Sequence, residues 1–251
     1  MADVVQPRHV LCAVGPGLGI GELEDVVHRS GGPEFTVDRE HFQNESDPRM
    51  VAAFKACLAE VSFTDEDWAA VAEHDSVAYV LSPPMTADTS VDVSRRVLAV
   101  AGALLHNGVT AVKNESNGLA HGRDRWLTLA DELADADDEL GKLVLHSAFV
   151  KRLISDDSLY YTCGMHLLGA PEVEIDATAR AGTPDERAEL ADGVAGYLLT
   201  EERATRIQDG EGFRLSPRSP RWLMHRYPCD RYEDGDFFHN PYGAWRLTPS
   251  D

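Results

Sequence analysis

The eleven residues from Val112 to Gly122, VKNESNGLAHG, place an amine, a carboxylate and an imidazole within one short segment. If the segment begins as a β-strand, Lys113 and Glu115 project from the same face, because side chains alternate along a strand. His121 follows an Asn-Gly turn and could approach that pair. The three groups together would be capable of acid–base catalysis. In the alternative, Asn117-Gly118 only forms a turn, Lys113 and Glu115 are solvated, and His121 precedes the start of a helix. The sequence leaves both alternatives open.

A glycine-rich segment, GPGLGIG, runs from Gly15 to Gly21 between a predicted strand and a predicted helix. A dinucleotide-binding turn occupies this position in other folds, and Asp38 ends the next predicted strand, where a ribose-binding acid would lie. The spacing differs from that motif, since Ile20 takes the place of the third glycine and Pro16 stiffens the turn. We therefore expect a simple strand-to-helix turn and no bound cofactor.

Four residues, Cys163, His166, His225 and Cys229, are of the types that bind zinc. On a strand, however, residues three apart project from opposite faces, so Cys163 and His166 would not share one ion. The sequence also has neither the Gly-x-Ser-x-Gly nor the His-Glu-x-x-His motif of hydrolases. We expect no metal site and assign no catalytic residue outside the alternative of Lys113, Glu115 and His121.

The predicted elements indicate a mixed α and β chain. Strand-like and helix-like segments alternate along the first half, and the second half adds strands at 159–168 and 171–176 and a helix at 183–202. A helix is predicted at 47–61, and the segment 142–154 is compatible with either a strand or a helix. The pattern predicts an α+β fold with mixed α/β layers in one compact domain.

Helix caps support two of these elements. Thr183, Pro184 and Glu186 form a capping-box sequence with proline at the first helical position. Thr64 and Asp67 imitate the same box with a shorter acid. Both pairs predict where a helix begins.

The domain organisation follows from the same pattern. Strand–helix–strand units occur on both sides of the middle, which suggests two similar halves, 1–140 and 141–215, within a domain spanning 1–215. Residues 216–251 are rich in proline, arginine and aromatic residues, and we interpret them as a C-terminal extension packed on the body.

The chain has 251 residues and a formal net charge of −20, which argues against nucleic acid or an anionic membrane as a partner. No apolar run is long enough to span a bilayer. The N-terminal residues show no secretory leader, so we expect a cytoplasmic protein in which the four cysteines are reduced.

The negative charge is concentrated in one segment, LADELADADDEL. This segment, predicted as a helix, contains six carboxylates: Asp131, Glu132, Asp135, Asp137, Asp138 and Glu139. Such a surface favours electrostatic association with a basic partner. We therefore predict that these six residues form a partner-binding face.

Several stretches together resemble the bacterial domain-of-unknown-function family 4261. They are HDSVAYVLSP, VSRRVLAVAGALLHNGVTAVKNESNGLAH, LYYTCGMHLLGAPEVEID and TPDERAELADGVAGYLL, and they cover roughly residues 70 to 215. The resemblance implies a compact bacterial α+β domain, similar in setting to accessory or cargo-neutralising proteins of toxin secretion loci. It assigns no catalytic residue.

These observations favour a non-enzymatic acidic interaction protein, of the immunity type, that neutralises a basic protein partner such as a secreted toxin. The first alternative is an enzyme or small-ligand binder with a polar site at Lys113, Glu115 and His121. The second is a structural homo-oligomer, such as a homodimer, joined through the tyrosines, tryptophans and arginines of the C-terminal segment.

Overall fold

A computed structural model describes residues 6–57, 63–156, 158–176 and 183–250. These residues form an α+β fold of seven α-helices and two β-sheets, as the sequence predicts. The strands are β1 Val10–Gly15, β2 Thr36–Val37, β3 Ser76–Leu81, β4 Ala111–Asn114, β5 Leu119–Ala120, β6 Lys151–Ser155, β7 Leu159–Cys163, β8 Glu172–Asp176, β9 Glu211–Phe213, β10 Trp222–Tyr227 and β11 Ala244–Pro249. The helices are α1 Ile20–Gly31, α2 Met50–Cys57, α3 Asp65–Ala72, α4 Ala87–His106, α5 Arg123–Asp135, α6 Asp138–Phe149 and α7 Pro184–Thr200.

The first sheet has the strand order β2-β3-β1-β4-β5, with all neighbours antiparallel. β1 lies at its centre and is buried along its whole length, because both faces of the sheet are covered. Leu11 and Ala13 face the main hydrophobic core, whereas Cys12 and Val14 face a smaller cluster beneath α2 and α3. The alternation of side chains thus divides β1 between two apolar environments.

The second sheet has the order β6-β7-β8-β11-β10-β9. Its central pair, β8 and β11, is parallel, and every other neighbouring pair is antiparallel. Val173 and Ile175 of β8 and Leu247 of β11 face the main core. The outer face instead carries the alternate residues Glu172 and Glu174.

Helix α4 packs against α1, α5 and α6 and supplies the centre of the main core with Val97, Leu98, Ala101 and Leu105. Apolar residues at these spacings form one face of a 3.6-residue helix. The same core includes residues of both sheets, so one hydrophobic cluster joins the two halves of the chain.

Local patterns predicted several elements correctly. Both capping boxes are present, at Thr64 with Asp67 and at Thr183 with Glu186. The ambiguous segment 142–154 contains both structures, since α6 ends at Phe149 and β6 follows it. The strand predicted at 159–168 is wrong beyond Cys163, because Gly164 turns the chain into a 3₁₀ helix, Met165–Leu168. The last residues of the helix predicted at 47–61 lie outside the described residues.

The acidic segment is also not one helix. It forms the end of α5, a short turn and the start of α6, where Asp137 accepts a hydrogen bond from the Leu140 amide at 2.9 Å. Asp is a preferred N-cap residue, and Asp137 marks the start of α6.

The two sheets differ in the number, order and direction of their strands. The boundary at residue 215 falls within the second sheet, between β9 and β10. Residues 216–251, interpreted from the sequence as an extension packed on the body, supply β10 and β11 of this sheet, and β11 is the second hydrogen-bonded neighbour of β8.

None of the described helices combines the length and the apolar character that crossing a bilayer requires.

Truncation after Leu215 tests the role of the last two strands. We expect the shortened chain to lose its cooperative thermal transition, because Trp222, Met224, Trp245 and Leu247 leave the core and β8 becomes an open edge. Circular dichroism melting measures this. A cooperative transition near the full-length temperature would contradict it.

Candidate functional site

The Lys113 and Glu115 side chains lie on the same face of the first sheet and form an ion pair. Lys113 is only 4% exposed, and its ammonium lies 5.9 Å from the ring centre of Phe54. Burial by itself lowers the pKa of Lys113, but Cys12 and Glu115 raise it above its ordinary value. The pair therefore holds the lysine charged within an apolar cluster, which is a structural use of both groups.

His121 does not join that pair. It follows Ala120, whose side chain shares the lysine's face of the sheet, so His121 projects from the opposite face. There its Nε2 donates to the Ala148 carbonyl at 3.1 Å. Its ring packs edge-on against the Trp126 ring, and the two ring centres are 4.6 Å apart. Burial lowers the pKa of His121 to about 4. The structure thus brings together two of the three predicted groups and places the third across the sheet.

The glycine-rich turn is held by a carboxylate of the protein itself. The Gly17 amide donates to Asp75 at 2.5 Å, and the Leu18 amide donates to the Ser76 hydroxyl at 3.1 Å. The Gly17 bond lowers the pKa of Asp75. Backbone amides at such a turn bind phosphate in a dinucleotide site, but here the Gly17 amide is taken by Asp75 and the Leu18 amide by Ser76. The neighbouring strands β1 and β3 are also antiparallel.

Of the zinc-type residues, Cys163 and His166 are both buried, and His166 Nε2 lies 3.1 Å from the Ser116 carbonyl oxygen. Across the described ranges of the chain, no group of three or more His, Cys, Asp or Glu side chains is arranged to hold a metal ion.

A chain of buried polar groups connects the two sheets. His9 Nε2 lies 2.8 Å from the Ser94 hydroxyl, and Ser94 donates to the Leu167 carbonyl at 2.7 Å. Asn114 donates to His9 Nδ1 at 2.8 Å. His9 is therefore neutral, with its proton on Nε2. Burial, and to a lesser extent the nearby His166, lowers the pKa of His9 to about 3.

Glu172 forms the other end of this network. Its carboxylate accepts hydrogen bonds from the Thr162 hydroxyl at 2.7 Å, the Gly164 amide at 3.1 Å and the Asn240 amide group at 3.0 Å. His166 Nδ1 lies 3.4 Å away. A buried carboxylate with this many donors is compensated by hydrogen bonds from the protein itself.

The connection between β10 and β11, residues 228–243, contacts β7 and β8 on the outer face of the second sheet, and we call it the strap. Arg231 anchors it, with its guanidinium 3.8 Å from the ring centre of Tyr161 and an ion pair to Asp156. Asn240 adds bonds of 3.0 Å to Glu172 and to the Ala170 carbonyl. Phe237, near the middle of the strap, is 53% exposed.

The six predicted partner-binding carboxylates are all exposed, from the last turns of α5 to the first turn of α6. Three of them have roles within the fold: Asp137 caps α6, Asp138 lies 3.3 Å from Lys142, and Glu132 lies 3.6 Å from Arg125. The other three, Asp131, Asp135 and Glu139, have no ion-pair or hydrogen-bond partner among the described side chains.

Two leucines accompany these acids. Leu140 is 51% exposed and Leu143 is 38% exposed, on the same face of α6. We call the six carboxylates and these two leucines the acidic surface. Sequence reasoning missed the leucines because their helical spacing does not distinguish them from core residues. It also missed Glu172 and Asn240, whose contacts come from distant parts of the chain.

No protein-family model, no curated protein and no solved structure matches this chain.

Replacing His121 with glutamine tests its neutral state. The pKa of His121 lies below that of an unfolded histidine, so the unfolded chain binds more protons between pH 6.5 and about 4. The wild-type free energy of unfolding should therefore fall as the pH decreases through this window, by on the order of 3 kcal/mol from His121. Denaturant unfolding at several pH values should show a smaller decrease in H121Q, and an unchanged decrease would contradict the assignment.

Breaking the Lys113–Glu115 pair tests its structural role. We expect E115Q to lower the free energy of unfolding by about 1–3 kcal/mol, because it leaves a buried ammonium without its counter-charge. The loss is smaller than for a fully buried pair because Glu115 is itself partly exposed. The double variant K113M/E115Q should recover most of that loss. If E115Q were as stable as the wild type, the pair would not have this role.

Proposed function

We propose that this protein is a non-enzymatic binding protein that recognises a basic protein through the acidic surface. The observation that carries the proposal is the set of exposed groups on the end of α5 and the start of α6: three unpaired carboxylates, Asp131, Asp135 and Glu139, and the leucines Leu140 and Leu143.

The fold itself gains little from these acids. Exposed ion pairs contribute about 0–1 kcal/mol, and unpaired acids at close spacing repel one another. The chain already carries a net charge of −20, which adds to that repulsion. A basic partner would relieve it.

The surface also has the composition of an interface. Protein interfaces commonly combine an apolar centre with a polar or charged rim. Here Leu140 and Leu143 supply apolar area, and the carboxylates supply charge that can steer a basic protein during its approach. Charge would mainly raise the association rate, whereas the leucines would slow dissociation.

An immunity-type role is the most specific form of this proposal. In that role the protein would bind and neutralise a basic toxin in the cytoplasm. The strongly acidic composition supports it.

The alternative functions have less support. A site at Lys113, Glu115 and His121 would need the histidine near the pair, and it lies across the sheet. A homo-oligomer joined through the C-terminal segment would have to use residues other than Trp222 and Trp245, which are buried in the core.

Neutralising the unpaired acids tests the proposal. A partner captured from the native host is purified, and its binding is measured by surface plasmon resonance over a range of salt concentrations. We expect D131N/D135N/E139Q to lower the association rate by about tenfold at low salt and to flatten its salt dependence. L140S/L143S should instead raise the dissociation rate by about tenfold.

The matched control is D25N/E66Q/E73Q, which removes the same charge from exposed acids elsewhere on the molecule. It should change both rates by less than about twofold. An equal loss of binding in this control, or a captured partner that is itself acidic, would sink the proposal.

A further inference from the structure

Two free thiols line one small cavity beneath the strap. Cys163 ends β7 and is 3% exposed, and Cys229 lies near the start of the strap and is partly exposed. The cavity has a volume of about 20 Å³, and Glu172 and Asn240 also line it. Burial, then Glu172, raises the pKa of Cys163 well above its ordinary value, and Cys229 is near enough to add to that effect.

The strap is held to the sheet without a covalent bond. Its anchors are Arg231, paired with Asp156, and Asn240, bonded to Glu172. Connections longer than about 12 to 15 residues without secondary structure are uncommon in compact domains unless they have a function. Residues 228–243 form a connection of this kind.

We propose that Cys163 and Cys229 are a redox modification site, at which a hydroperoxide converts the two thiols into a disulfide that ties the strap to the second sheet. This inference does not depend on the acidic surface. Disulfides in reducing compartments are typically transient and regulatory, which fits a bond formed only in the presence of an oxidant.

The reaction begins at Cys229, because it is the thiol that solvent can reach. Its thiolate attacks the peroxide, an S–O bond forms, the O–O bond breaks, and hydroxide leaves and becomes water on protonation. The Cys163 sulfur then attacks the Cys229 sulfur, the S–O bond breaks, and the departing hydroxide takes the Cys163 proton as water. In total, two thiols and one hydrogen peroxide give one disulfide and two waters.

The division of roles follows from the environments of the two thiols. A buried thiol with a raised pKa is a poor first nucleophile, so Cys163 is suited only to the second step. The product would fix the strap through a third anchor between Arg231 and β10, and with it the position of the exposed Phe237.

The other two cysteines provide an internal comparison. Cys12 on β1 and Cys57 at the end of α2 are both buried in the smaller hydrophobic cluster, and burial raises the pKa of Cys12 to about 12. Neither belongs to the strap. The C57S variant is therefore a matched control that removes one thiol without touching the proposed site.

The experiment treats the reduced full-length protein with hydrogen peroxide and maps its peptides by mass spectrometry without reduction. We expect a peptide pair joined through Cys163 and Cys229, two hydrogens lighter than the separate peptides and separated again by dithiothreitol. The melting temperature should rise by about 5–10 °C. C57S should behave as the wild type, and C229S should give no linked pair and no rise.

In C163S, dimedone should trap Cys229 as a sulfenic acid, which identifies the thiol that reacts first. C163A serves the same purpose if C163S does not fold. A link that involves Cys12 or Cys57, or oxidation of Cys229 to the sulfonic acid without any link in the wild type, would overturn the proposal.

Discussion

The buried carboxylate of Glu172 is the point at which the second half of the chain is assembled. It accepts hydrogen bonds from Thr162 on β7, from the Gly164 amide at the turn into the 3₁₀ helix, and from Asn240 of the strap. A carboxylate in an apolar interior is unfavourable unless donors surround it, so these three segments must be in place together. Gly164 adopts a φ of +125°, and a Cβ there would lie 2.0 Å from the Phe149 carbonyl oxygen, so the turn that presents this amide requires glycine.

From Glu172 the polar network continues through His166 to Ser116, and beside it His9 joins Ser94 to Asn114. These groups lie inside one hydrophobic core that both sheets share. Apolar contacts hold the two halves together, but they are not directional. The hydrogen bonds require specific partners, so they define which residues of one sheet meet which residues of the other.

Local patterns were sufficient for most of the elements. Thr183 with Glu186 marked the start of α7, and alternation correctly placed Lys113 and Glu115 on one face. Features that depend on contacts between distant residues could not be predicted from local patterns. The face of His121 is decided by the pairing of β4 with β5 and by the position of Trp126, and no short spacing encodes either one. The acids of the candidate surface were evident from composition, whereas the exposure of Leu140 depends on how α6 packs.

The parallel pairing of β8 with β11 has a consequence for the order in which the molecule is built. Arg246 and Glu174, neighbours across this pair, are 72 residues apart in the chain. During synthesis, β8 leaves the ribosome well before its central partner and must wait beside β7 with one edge unsatisfied. Closing so long a loop is slow, and an unpaired strand edge invites association with other chains. Folding on the ribosome is therefore expected to finish the first sheet early and to leave the second as the vulnerable stage, at which chaperones would act.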